Sequence, residues 1–116
     1  MEKKYDLEDR TLMFAKDVRS LVKLIKKSIG NIEDSKQLVR SSGSVGANYI
    51  EANEALGKKD FLMRIKISRK EAKETRYWLN LIDIESNETI YNERERLINE
   101  ATELMNIFGA ILRKSE

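Results

Sequence analysis

A chain of 116 residues with five glycines and no proline, cysteine or histidine is the size of one domain and is dominated by the helix formers Leu, Glu, Lys, Ala, Arg and Met. The missing residue types exclude disulfides, thiol chemistry, a His general base, a Ser-His-Asp triad and imidazole-ligated metal or haem, and leave a zinc site only carboxylates. Charged residues make up 36% of the chain yet the net charge is +2, a balance that suits helix faces laced with ion pairs and does not by itself imply a nucleic-acid partner.

No apolar run follows the first six residues, so no signal peptide is read, and no stretch approaches the roughly 20 apolar residues of a membrane span. The expected location is the cytoplasm, which makes the sequon Asn87-Glu88-Thr89 accidental. The first helix is predicted over 7–28. Leu7, Thr11, Phe14, Val18, Leu21 and Ile25 recur at alternating steps of four and three, a stripe along one helix face. Asp6 is its expected N-cap, Lys23, Lys26 and Lys27 complement its far end, and Gly30 follows as a C′ residue.

The second helix is predicted over 32–56, capped by Asn31 and stopped by Gly57, with the stripe Leu38, Ser42, Val45, Tyr49, Ala52 and Leu56. The third, over 59–85, starts near Asp60 and carries Phe61, Ile65, Ser68, Ala72, Thr75, Leu79 and Ile82. Ser86-Asn87-Glu88-Thr89 is the remaining turn cluster. The fourth helix, over 88–113, carries Ile90, Leu97, Ala101, Leu104, Phe108 and Ile111, with Arg94 snorkelling from one stripe position. Short connections make sequential neighbours antiparallel. The predicted fold is all-α, an antiparallel up-down-up-down four-helix bundle forming one domain over 1–116.

Further apolar residues fall outside these stripes: Val39, Gly43, Gly46 and Ile50 on the second helix, Met63, Ile67, Tyr77, Trp78 and Leu81 on the third, and Ile98, Met105 and Leu112 on the fourth. They widen the core or form a self-association surface, and the excess on the middle helices favours a homo-oligomer. The second helix also holds Ser41-Ser42-Gly43-Ser44-Val45-Gly46-Ala47, poor helix formers whose small volume lets another backbone approach. Arg40, Ser44, Asn48 and Glu51 line up at helical spacing and are expected to satisfy one another, with Gly46 as the point of close packing. The glycines lack the spacing and the Lys-Ser/Thr ending of a phosphate loop.

In Gln37-Leu38-x-Arg40-Ser41-Ser42-x-Ser44-Val45-Gly46-Ala47-Asn48-Tyr49-x-Glu51-Ala52, Lys59-Asp60-Phe61 and Lys70-Glu71-Ala72-x-Glu74-Thr75-x-Tyr77-Trp78-Leu79, the chain resembles the 23S rRNA intervening-sequence proteins, also called the S23 ribosomal protein family. The resemblance spans about residues 6–85. Relatives usually have a proline after the first helix, where this chain has Ser28-Ile29-Gly30-Asn31. The resemblance implies a four-helix bundle that assembles as a homopentamer. It also implies a fold similar to the accessory protein of diversity-generating retroelements, which binds a reverse transcriptase.

Charge is unevenly spread. Eight basic residues face three acidic ones between Lys58 and Arg76, and five face one between Lys16 and Lys27. Lys59, Lys66, Lys70 and Lys73 line one face of the third helix, with Arg69 and Arg76 on an adjoining one. This stripe is either a candidate RNA- or DNA-binding surface or a solvated face paired with the Glu residues of the fourth helix or of a neighbouring copy. No aromatic residue is read as interleaving it, so sequence-specific recognition is not expected. The carboxylates Glu51/Glu54 and Glu71/Glu74 lack the histidines of a di-metal bundle and are read as ion-pair partners of Arg40, Arg69 or Lys70. The expectation is therefore a non-enzyme with no metal, cofactor or catalytic residue. It binds nucleic acid independently of sequence or, alternatively, acts as a protein–protein adaptor.

Overall fold

The computed structural model describes residues 6–115. Four helices, α1 (Leu7–Leu24), α2 (Ile29–Asn53), α3 (Lys58–Leu81) and α4 (Glu88–Lys114), pack in a ring in which each meets its neighbours in sequence and α1 closes against α4. No helix among the described residues is long and apolar enough to cross a membrane.

The predicted stripes form the core. Phe14, Val18, Leu21, Leu38, Val45, Ile65, Leu79, Leu97, Leu104 and Phe108 are fully buried, each worth about 1.5–3 kcal/mol relative to exposure. Of the additional apolar residues on α4, Leu112 is buried and Ile98 and Met105 pack against the core, so there the bundle is simply wide. Leu12, Ile32, Ile50, Met63, Tyr77 and Leu81 stay exposed. Arg94, with its side chain largely covered, places its guanidinium 5.5 Å from the centre of the Tyr91 ring.

Asp6 caps α1 as expected, its carboxylate accepting from the Asp9 amide at 2.8 Å, and Asn87 caps α4. Four other helix ends differ from the prediction. α1 stops at Leu24, and Ile25 turns extended while remaining in the core. α3 stops at Leu81, and Ile82 does the same. One buried side chain accounts for both stops. Asn31 Nδ2 donates to the carbonyls of Lys26 (3.0 Å) and Asp83 (2.8 Å), and Asn31 Oδ1 accepts from the Asp83 amide (2.9 Å). These backbone groups are available only because both helices have already ended.

Asn31 is thus inside α2 rather than its cap. Ser28 caps α2, accepting from the Asn31 amide at 3.1 Å, and Gly30 sits in the first turn instead of after α1. α2 itself ends at Asn53, because Gly57 opens α3 from an extended conformation. Leu56 is consequently fully exposed instead of completing the stripe. Glu85 and Ser86, before α4, both adopt positive φ (53° and 63°).

The α1–α4 seam is the loosest. A groove of about 470 Å³ runs along it over Met13 and Phe14 and is bridged by ion pairs. Arg10 grips Glu100 bidentately at 2.8 Å and reaches Glu103 at 3.0 Å, and Arg96 joins Asp17 (2.9 Å) and Glu93.

Candidate nucleic-acid interface

The two faces of α3 follow from its spacing. The inner face, Ile65, Ser68, Ala72, Thr75 and Leu79, is buried against α2 and α4. The small-residue block of α2 sets its register. Ser68 Oγ donates to the Val45 carbonyl at 2.9 Å. Thr75 Oγ1 lies 2.8 Å from both the Glu71 carbonyl and Ser41 Oγ, so it donates to the carbonyl and accepts from the serine hydroxyl. Small residues at 41 and 42 keep α2 and α3 close enough for these bonds to form, and both are buried.

The opposite face carries Lys59, Met63, Lys66, Lys70, Lys73, Tyr77 and Leu81, again at steps of four and three, and every one is exposed. Arg69 is exposed beside them, whereas Arg76 is half-buried and donates to Thr102 Oγ1 of α4 at 3.1 Å. Arg64 points to the other side and donates to Asn48 Oδ1 at 3.0 Å. Among the described residues, Lys59, Lys66, Arg69, Lys70 and Lys73 form no ion pair.

The acidic residues that might have balanced them are engaged elsewhere. Glu100 and Glu103 of α4 face α1 and hold Arg10; Glu93 and Glu95 pair with Arg96 and Arg94 of their own helix. Pairing of the stripe with α4 is therefore not realised within this chain. Hydrogen bonding from Arg96 holds the Glu93 carboxyl below its ordinary value.

The polar line on α2 is divided rather than continuous. Asn48 Nδ2 donates to Ser44 at its carbonyl (2.9 Å) and Oγ (3.0 Å), and Asn48 Oδ1 takes the Arg64 bond. Arg40 crosses instead to α3, lying 3.3 Å from Glu71 and 3.2 Å from Glu74. Glu51 is exposed and joins neither group. The division arises because Ser44 and Asn48 border α3, where Arg64 meets them, while Glu51 turns outward at the solvent side of the seam. Of the predicted cation partners for Glu71 and Glu74, Arg40 takes the role; Arg69 and Lys70 do not. Gly46 packs against Thr11 of α1.

For two residues named in the sequence the surroundings were not foreseen. Glu71 is buried, and one of its carboxylate oxygens accepts no hydrogen bond although the Arg40 guanidinium is near. Burial pushes its pKa up, Arg40 pulls it back, and Glu74 adds to the rise. Tyr77 sits four residues after Lys73, 59% exposed, so an aromatic adjoins the basic face at its end without interleaving it. Extending the four-three spacing beyond Lys73 would have found it. Its ring meets Trp78 edge-on, centroids 5.0 Å apart.

Comparison with known proteins follows the fold. The chain is similar to a solved structure from Bacteroides thetaiotaomicron, a protein with unknown function from the S23 ribosomal protein family. The two are 33% identical with a TM-score of 0.78, covering 92% of this chain and 98% of that one. Comparison with curated proteins gives no match. The family model for the 23S rRNA-intervening sequence protein matches residues 3–110, and with the four-helix fold and the α2 and α3 motifs in place, the chain belongs to that family.

Proposed function

We propose that this protein is a non-catalytic, self-associating helical bundle that holds RNA or DNA by the phosphates, without regard to sequence, through the outer face of α3. The observation that carries this reading is the set of five exposed cations, Lys59, Lys66, Arg69, Lys70 and Lys73, without a carboxylate partner among the described residues. Elsewhere Arg10, Arg40 and Arg96 are each held by one or more carboxylates. Like charges at i,i+3 and i,i+4 cost a few tenths of a kcal/mol per pair, and a polyanion relieves that cost. Retention of RNA and DNA on filters at low salt tests the reading; no retention of either overturns it.

Self-association rests on the apolar residues bordering the α1–α2 seam. Leu12 follows Glu8 by one turn, and Glu8 accepts from Asn53 of α2. Ile50 follows Gly46 by one turn, and Ile32 lies beside Val22 and Ile25. All three are about half exposed, and the family resemblance gives five as the number of copies. The same surface supports a second reading, an adaptor for another protein with the α3 stripe merely solvated. Changing Lys66, Lys70 and Lys73 to Glu separates the two: the first reading requires loss of nucleic acid with the assembly intact, the second an unchanged capture of a protein partner.

A further inference from the structure

We infer that the nucleic acid taken by the α3 face is single-stranded, with one base stacked on Tyr77 and the adjoining phosphates on Lys73, Lys70 and Lys66. The inference rests on the phosphate-binding reading above and adds to it a ligand form and a positioning aromatic. Lys59, Lys66, Lys70, Lys73 and Tyr77 occupy one straight line along the helix, about 27 Å from end to end at 1.5 Å per residue. The cations lie on one side of the ring only: past Tyr77 the stripe ends at the exposed Leu81. A strand laid along the stripe thus has its phosphates over the lysines and meets an aromatic face at its end.

Tyr77 is 59% exposed, on the side of the helix away from the buried inner face. An exposed tyrosine has no part in the core. Its edge-on contact with Trp78 restrains it from one side, leaving it available as a platform. Base faces are accessible in a single strand and are hidden inside a duplex, so Tyr77 adds affinity for the first and almost nothing for the second. No side chain on the stripe has a bidentate amide free to read a base edge; nearby Asn80 donates to the Arg76 carbonyl. Stacking is tolerant of base identity, which keeps recognition independent of sequence.

The test uses the full chain with a fluorescein-labelled single-stranded oligonucleotide and its duplex, each read by anisotropy at low salt. Tyr77→Ala is expected to weaken single-strand binding about tenfold or more while leaving duplex binding within about twofold, and Tyr77→Phe is expected to retain the wild-type affinity. Emission of Trp78, the one tryptophan, is expected to change on single-strand binding and not on duplex binding. Equal loss for both forms, or no loss for either, overturns the stacking inference while phosphate binding stands. Absence of binding to both forms by the unaltered chain overturns both. A fall in assembly mass of Tyr77→Ala by light scattering, with ligand binding unchanged, also overturns it, because Tyr77 is then a subunit contact.

Discussion

A Cβ on Gly46 would lie 2.8 Å from Thr11 Oγ1 and 3.2 Å from Thr11 Cβ, so α1 and α2 meet where α2 has no side chain. Thr11 is β-branched and stiff in a helix, and its hydroxyl is bonded to the Leu7 and Glu8 carbonyls, so it cannot swing aside. Gly46→Ala is therefore expected to cost about 1–3 kcal/mol despite alanine's better helix propensity. Gly46→Leu should cost more. At Gly43 nothing lies within 4 Å of the same position, and Gly43→Ala should stabilise by about 0.5–1 kcal/mol. Urea denaturation of the two alanine variants checks the contrast; the same sign at both positions would refute the packing role.

The Asn31 clamp predicts an unusual order of variants. Asn31 occupies the first turn of α2, where a carboxylate would gain about 0.3–1 kcal/mol from the helix dipole. Its amide nitrogen nevertheless faces two carbonyls, at 3.0 Å and 2.8 Å. Asn31→Asp is expected to lose about 2–4 kcal/mol, at least as much as Asn31→Ala. Hydrogen exchange should show the Asp83 amide losing protection in Asn31→Ala, which removes its acceptor. A stable Asn31→Asp variant would sink the clamp.

That clamp also explains what the sequence concealed. The stripes located nearly every core residue, because period and burial are local properties of one helix. Leu38, Val45, Ile65, Leu97 and Phe108 could be read off the chain. The ends of α1 and α3 could not, since both depend on one buried side chain, Asn31, which bonds Lys26 after α1 and Asp83, 52 residues away, after α3. Ile25 and Ile82 continue their stripes perfectly well and still leave the helix. The basic stripe was legible as charge. Its lack of partners was not, because that depends on the carboxylates of α4 turning toward α1. In the sequence Tyr77 reads with Trp78 among the apolar residues that widen the core or favour self-association, because residue type alone does not show that the ring continues the line of the lysines.

Glu71 gives a pH prediction. Burial raises its carboxyl above the ordinary 4.5, so the folded chain binds this proton more tightly than the unfolded one. Between the ordinary and raised values the native state carries more protons, and stability from this group falls as pH rises through that window. Glu71→Gln should be at least as stable as the parent at neutral pH and should lack that fall. Arg40→Ala removes the charge that pulls Glu71 back. It should cost about 1–2 kcal/mol near pH 7, discounted because Arg40 stands half in solvent, and recover as pH drops and Glu71 takes up its proton. Urea midpoints across pH check both; an Arg40→Ala deficit that does not shrink on acidification would contradict the assignment.

Self-association predicts a mass several times that of one chain by light scattering. Ile50→Lys, at a half-exposed position outside the core, should reduce that mass without lowering helix content by circular dichroism. An unchanged mass removes the α1–α2 face as the contact.

The most direct test of the central claim is the salt dependence of single-stranded RNA binding, by anisotropy between about 50 and 200 mM salt. Each phosphate neutralised contributes about −0.7 to the slope of log affinity against log salt. The unaltered chain is predicted to bind at low salt with a slope of about −2 to −3. Changing Lys66, Lys70 and Lys73 to Glu should abolish binding or flatten the slope by about 2 with the assembly mass unchanged. No binding by the unaltered chain, or a slope that the three substitutions leave untouched, would contradict the account.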